Sequence, residues 1–317
     1  MGEAAKGVDV ERYRRRWTEG VRLDPAKDVA TNFLDELEAY SGLPRPEVSR
    51  LFYHGTAEYA KEWEQQYQQD PDARVKFYDE SFTHIFFVMH NSALRTELSS
   101  PLLYLYGADW ANRGGARTYL DYGAGTGSGA MFFAKQGIET TLADISRRML
   151  EFAKWRFERR GYRARYLDLK SQALPEQAFD VITCFHVLQH VEDPVATMRQ
   201  LRNALKPNGI LLVNGALRKD PERPMQPDHG GERTRRKFRS VGLQTLWPPI
   251  QEMRQLSNTT PQAYRRVERP ALANAAYRVF DTTVTSHALR RALWVAARPL
   301  APFLGRRNRG ALEPQRG

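Results

Sequence analysis

The stretch Leu120-Asp121-Tyr122-Gly123-Ala124-Gly125-Thr126-Gly127-Ser128-Gly129 constrains this chain more than any other. It sets four glycines between a short apolar run and a helix-forming one. Glycines at such a junction let the backbone turn sharply and approach a ligand closely, and the helix start that follows offers unpaired N–H groups. The rhythm of the chain from Ala116 onward agrees with a strand–turn–helix build. Short apolar runs at 118–122, 139–143, 164–167, 181–185 and 210–214, with 243–247 a weaker sixth, alternate with helical patterns at 128–135, 146–160, 194–205 and 232–241. Ser146 is placed to cap the second of these helices, and Leu205-Lys206-Pro207-Asn208-Gly209 to close the third. The expected fold class is α/β, a Rossmann-like, mostly parallel sheet with helices on both faces.

Helical extensions flank this core. Residues 1–115 lack strand alternation and read as helices, broken at 42–46, 70–71 and 99–101 by glycine, proline and serine. Their second half is dense in rings: Phe77, Tyr78, Phe82, His84, Phe86, Phe87, His90, Tyr104, Tyr106 and Trp110. Most of these are expected in a core against the neighbouring domain, and the same surface can wall a ligand cavity at the junction, as a lid. The core is assigned to 116–247 and a basic extension to 248–317. Within that extension, 248–270 carries four prolines and stays open between a loop, a covering flap and a last irregular strand. Residues 271–279 read as helical, and 286–300 as an amphipathic helix with Leu289, Ala292, Leu293, Ala296 and Leu300 on one face and Arg291 and Arg298 opposite.

Charge is unevenly spread. Residues 1–217 carry 28 Lys+Arg against 29 Asp+Glu, while 218–317 carry 20 against 8, so the net +11 belongs to the last hundred residues. Nucleic acid, an anionic membrane surface or an acidic protein could answer that charge, as could solvent alone. The expectation for 286–304 is reversible attachment to an anionic surface, set against docking on the protein's own core. No apolar run reaches the length of a membrane span, and the first 20 residues lack the apolar stretch of a secretory signal, so the chain reads as cytoplasmic, with peripheral attachment to membrane through that tail. The single cysteine, Cys184, excludes an internal disulfide and a zinc site of paired cysteines. Its place inside a strand makes it an inert core thiol.

The glycine turn alone does not choose its ligand, because Gly125, Gly127 and Ala130 also satisfy the dinucleotide pattern G-x-G-x-x-A. Three acids narrow the choice. Asp121 ends the first strand, where a pyrophosphate would meet negative charge and a cationic group would be tolerated. Asp144 ends the second strand, 17 residues after Gly127, and can accept both hydroxyls of a ribose. Asp168 follows the third strand, where it can accept from an adenine amino group. Acids at three successive strand ends suit an adenosine ligand without phosphates.

With these residues in place, the chain resembles the class I S-adenosylmethionine-dependent methyltransferases, in particular the small-molecule enzymes among them. The resemblance covers about 117–215 and rests on LDYGAGTG, TLADIS, YLDL, FDVITCFHVLQHVEDP and LKPNGILLVNG. It implies S-adenosyl-L-methionine as cofactor, with Gly123, Gly125 and Gly127 at the methionine end, Asp144 at the ribose, and Asp168 with Leu169 at the adenine; Ile145 is a further expected cofactor-binding residue. Phe185 and His186 would then stand near the transferred methyl. It also implies a seventh, antiparallel strand, for which the sequence shows no clear place.

Methyl transfer from a sulfonium is an in-line displacement, and an oxygen or protonated nitrogen acceptor needs a base. His186 is the candidate catalytic base, at the carboxyl end of the fourth strand, and the alternative role for the same ring is a structural hydrogen bond or a lining one. His190 reads as structural. His84 and His90 fall six apart on different helix faces, so no metal site is expected. The expected function is methyl transfer to a small or lipid-like acceptor. Alternatives are an RNA methyltransferase that uses the basic C-terminal region, with nucleic acid ranked below a small acceptor, and a non-catalytic protein that binds S-adenosylmethionine or NAD. Neither the acceptor nor an oligomeric state can be read from the sequence.

Overall fold

The computed structural model of the chain describes residues 8–66, 73–96, 101–218 and 226–268, together with 270, 274 and 275. Among the described residues, seven helices precede the first strand: α1 (Val10–Val21), α2 (Val29–Ser41), α3 (Arg45–Tyr53), α4 (Gly55–Gln66), α5 (Ala73–Glu80), α6 (Thr83–Leu94) and α7 (Pro101–Arg113). Their ends follow local chemistry. Asp9 accepts from the Arg12 N–H at 2.9 Å and Asp28 from the Thr31 N–H at 2.7 Å, each answering a first-turn donor, and Gly42 closes α2 in the left-handed conformation.

The sheet has seven strands in the order β3-β2-β1-β4-β5-β7-β6. They are β1 (Thr118–Tyr122), β2 (Glu139–Asp144), β3 (Arg165–Asp168), β4 (Phe179–Phe185), β5 (Leu205–Asn214), β6 (Leu243–Thr245) and β7 (Gln262–Arg266). The first five run parallel, and β7 enters antiparallel between β5 and β6. The strand order reverses direction between β1 and β4. In open parallel sheets the crevice outside the carboxyl ends at such a point is where ligands bind. Helices α8 (Met131–Lys135), α9 (Arg147–Arg159), α10 (Pro194–Ala204), α11 (Glu232–Lys237) and α12 (Trp247–Leu256), with a 3-10 turn at Phe238–Val241, complete the described elements. Ser146 caps α9 by accepting from the Met149 N–H, as the sequence suggested.

Several expectations need correcting. The seventh strand is β7, inside the proline-rich segment whose character the sequence left open, so the sheet continues past residue 247, where the core was expected to end. The prolines do not break that segment because Pro248 and Pro249 sit in the first turn of α12, where a missing N–H costs nothing. For the same reason the sixth strand stops at Thr245 rather than 247, and Trp247 already belongs to the helix. The helix expected over 128–135 is shortened to α8, since the glycine turn runs on through Ala130. Leu205 does not end a helix before a loop but starts β5, pairing with Phe179 ahead of a bulge at Phe179/Val181. Residues 286–300, and most of 271–279, lie outside the described residues.

The N-terminal helices are not a separate layer. One buried apolar cluster joins Trp17, Phe33 and Phe86 from them to Phe133, Phe152 and Phe157 of the sheet-flanking helices. Trp17 stacks on Phe132 at 5.4 Å, Tyr40 packs against Phe152 and Trp155, and Arg16 pairs with Asp109 at 2.6 Å. A second cluster fills the opposite face of the sheet with Leu120, Ile182, Leu211, Met198 and Tyr264. A third, of Tyr59, Trp63, Phe77 and Tyr78 with Phe87 and Ile145, lies where α4, α5 and α6 reach the carboxyl ends of the strands.

Candidate active site

The glycine turn leaves β1 at its carboxyl end. Gly123, Gly125 and Gly127 all have φ between +52° and +74°, a region that side-chain-bearing residues rarely occupy. Their surroundings differ. A Cβ on Gly127 would lie about 3 Å from Leu142, Ala153 and Phe157, so this glycine lets the turn pack on the core. A Cβ on Gly123 would strike Val187 at 2.2 Å, in the segment after β4. Among the described residues, a Cβ on Gly125 would meet Val88 of α6 alone, at 3.6 Å, the least crowded of the three surroundings.

The three acids stand as expected at adjacent strand ends. Asp121 is the penultimate residue of β1, Asp144 closes β2, and Asp144 lies in register with Asp168 of β3. Asp144 is nearly buried; its Oδ2 accepts from the Gly125 N–H and its Oδ1 from the Ser146 N–H, both at 2.9 Å. Burial raises its pKa against the lowering effect of those N–H groups. Asp144 is thus locked to the glycine turn and keeps a second lone pair on each oxygen. Asp168 is partly exposed, with Oδ1 accepting from the Lys170 N–H at 2.9 Å, and Leu169 is tied to β2 by its N–H to the Asp144 carbonyl at 3.0 Å. Ile145, between Asp144 and Ser146, packs against the ring cluster of α4 and α5.

Asp121 has no exposed surface. Its Oδ1 accepts from the Thr183 hydroxyl at 2.9 Å and the Tyr104 hydroxyl at 3.3 Å, while its Oδ2 is buried with no partner among the described residues. Burial, with the nearby charge of Asp144, pushes the carboxyl up to about 7 despite the hydroxyl donors. A buried acceptor without a donor is costly unless something supplies one. An ammonium group at this spot would answer both the orphan oxygen and the charge.

Phe185 ends β4 and meets the Tyr104 ring edge-on at 4.8 Å. His186 follows with φ +57°, an uncommon conformation for a non-glycine residue. Its N–H is held by the Asn214 carbonyl at 3.2 Å and side-chain oxygen at 3.3 Å, and Asn214 in turn donates to Thr259 at 2.7 Å. The strand end is therefore fixed from β5, and His186 stands at the carboxyl end of β4 as the sequence implied.

Sequence reasoning missed four contributors. Tyr104 of α7 touches Asp121, Phe185 and, by its ring, the backbone of Gly129. Arg156 of α9, fully buried, donates to the Thr126 carbonyl at 2.9 Å and the Ser128 hydroxyl at 2.6 Å, and pairs with Glu36 of α2 at 3.0 Å. Tyr78 and Asp79 of α5 bond to the rim of the crevice: Tyr78 to His190, Asp79 to the Arg147 N–H at 2.9 Å and to Lys170. Only the density of rings in 77–110 hinted at these contacts. These pairings span 17 to 120 residues, beyond the reach of local spacing.

With the geometry in view, the comparisons with known proteins are consistent. Residues 120–211 match the family model of a methyltransferase domain. The ubiquinone biosynthesis O-methyltransferase of Histophilus somni is 36% identical over 102 residues, covering 30% of this chain and 43% of the relative. The protein of the same name from Haemophilus ducreyi is 30% identical over 142 residues, covering 43% of this chain and 60% of the relative. The chain spans about half the length of these curated relatives. A solved S-adenosylmethionine-dependent methyltransferase from Clostridium acetobutylicum is 16% identical with a TM-score of 0.43, over 56% of this chain and 94% of that one. Residues 120–211 are therefore similar to a methyltransferase domain, in agreement with the resemblance that the sequence motifs carry. No helix among the described residues is long and apolar enough to cross a membrane.

Proposed function

We propose that this chain transfers the sulfonium methyl group of S-adenosylmethionine to a small or lipid-like acceptor bound between the strand ends and helices α4 to α7. The observation that carries the cofactor side is Asp121: a buried carboxylate oxygen without a donor, next to an open glycine turn, suits the cationic methionine end and opposes a pyrophosphate. Asp144 would hold the ribose hydroxyls with its remaining lone pairs, Asp168 and Leu169 the adenine, and Gly123 to Gly127 the methionine chain.

The cofactor supplies an activated methyl. The protein's part is to hold an acceptor atom in line with the S–C bond, about 3 Å from the methyl carbon, and to keep water out. Tyr104, Phe185, Val88 and Val187 supply apolar and aromatic walls, and His186 stands beside the methyl end as a candidate base. Relatives named as ubiquinone biosynthesis O-methyltransferases support a hydroxyl on a ring-bearing small molecule as the acceptor. The basic last hundred residues favour an anionic lipid surface over RNA, because a helix over 286–300, as the sequence pattern suggests, would set an apolar stripe beside the arginines.

Incubation of the purified chain with methyl-labelled S-adenosylmethionine and a cell extract, followed by mass spectrometry, tests this reading. Label should appear in a low-mass or lipid-soluble product. Label confined to RNA, or none transferred, contradicts it.

A further inference from the structure

The structure brings together a phenol and an imidazole that the reading above leaves unused. Tyr78, near the end of α5, places its hydroxyl oxygen 2.6 Å from Nδ1 of His190, which lies four residues beyond His186. The two rings meet edge-on at 5.1 Å. The turn that carries His190 is closed by its N–H to the Val187 carbonyl at 2.8 Å, and Val187 is the residue that lies against Gly123. On the lid side, α5 is anchored by Asp79 to the Arg147 N–H at the start of α9 and to Lys170 beyond β3. Both partners are thus fixed over the carboxyl ends of β2, β3 and β4, with Ile145 in the same cluster as Tyr78. The His84 ring of α6 also packs on Tyr78 at 5.3 Å, with a buried Nδ1 that has no partner among the described residues. Burial pulls its pKa down to about 3, so this ring stays neutral.

We infer that Tyr78, backed by His190, is the group that takes the proton from a phenolic acceptor during methyl transfer. The inference rests on the methyltransferase reading and narrows its substrate class to phenols. The acceptor's O–H proton passes to the Tyr78 oxygen while Tyr78's own proton passes to His190 Nδ1, giving an imidazolium that later returns it to water. The freed oxygen pair forms the new O–C bond, the S–C bond breaks, and its pair stays on sulfur as the neutral thioether. Tyr78 is the catalytic residue of this step and His190 a positioning and proton-holding one. A phenol alone is too weak a base at neutral pH; a short bond to an imidazole corrects that, as a base works best when its proton affinity matches the task.

The test uses the full chain, methyl-labelled S-adenosylmethionine and a panel of phenols and catechols graded in acidity by ring substituents. With Tyr78→Phe and with His190→Asn, kcat should fall about 10²- to 10⁴-fold with KM little changed. The loss should be smallest for the most acidic phenols, which arrive already ionised. S-adenosylhomocysteine affinity should be unchanged, which separates lost chemistry from a damaged fold. Phenol methylation unaffected by Tyr78→Phe, or a loss of equal size across the panel, overturns the inference and leaves the methyltransferase reading standing. A dependence on acidity that appears with His186→Ala and not with Tyr78→Phe also overturns it, in favour of His186. A wild-type protein that methylates no phenol overturns it too; label then found in another small molecule from extract would keep the broader reading.

Discussion

Replacement of Glu36 by glutamine should both destabilise the protein and loosen the glycine turn, although residue 36 lies in the helical N-terminal region. Glu36 is 2% exposed and Arg156 is completely buried. The Glu36 carboxylate takes Nε and Nη2 of Arg156 at 3.2 and 3.0 Å and also pairs with Arg160. Burial would raise the Glu36 pKa, but the two guanidiniums outweigh that and hold it below the usual range. Burial pulls Arg156 down to about 10, so it remains cationic at neutral pH. Glu36→Gln leaves Arg156 and Arg160 without their counter-ion, and breaking a buried pair from one side costs about 3–5 kcal/mol. The remaining Nη1 of Arg156 holds Thr126 and Ser128, so a guanidinium drawn towards solvent takes the turn with it. Thermal unfolding should show a melting temperature lower by several degrees, and calorimetry with S-adenosylhomocysteine an affinity at least tenfold weaker. Joining Arg156→Met to Glu36→Gln should restore part of the stability, since an apolar replacement of the charge removes the uncompensated burial, without restoring affinity. Unchanged melting and unchanged affinity in Glu36→Gln would refute the coupling between α2 and the turn.

Three further outcomes are expected. Asp144→Ala should keep the fold and lower S-adenosylhomocysteine affinity at least tenfold, read by calorimetry, because it removes the tie to Gly125 and, on the proposed reading, the ribose acceptor. Asp121 binds a proton in the folded protein up to about pH 7 but in the unfolded chain only to about 4, so its burial makes stability without cofactor fall as pH rises between these values; Asp121→Asn should flatten that slope in thermal melts, and a slope unchanged from wild type would refute the assignment. His186→Ala should reduce turnover in extract while leaving cofactor affinity as it was, and equal turnover would remove His186 from the acceptor side.

Much of the parallel half of the sheet could be read from the sequence, because its strands are short runs that carry a chemically distinct residue at or next to their carboxyl ends: Asp121, Asp144, Asp168 and Phe185. Burial on both faces writes such runs plainly. The antiparallel edge could not be read in the same way. The pattern of β7, Gln-Ala-Tyr-Arg-Arg, is half polar and follows a proline-rich stretch, and its pairing with β5 is set by a contact some 50 residues away in sequence. The glycine turn and its acids were legible because their spacing is local. The parts that close the site, Tyr104 on Asp121, Arg156 on the turn and Tyr78 on His190, were not, since each comes from a helix whose local pattern reports only that it is helical and rich in rings.

The central claim is that the crevice between Asp121 and Asp168 takes a phosphate-free adenosine ligand with a cationic end. Isothermal titration of the full chain with S-adenosylhomocysteine and, separately, with NAD tests it most directly. The account predicts one site for S-adenosylhomocysteine, of micromolar affinity or tighter, and no measurable heat with NAD. Tight binding of NAD with none of S-adenosylhomocysteine would contradict it.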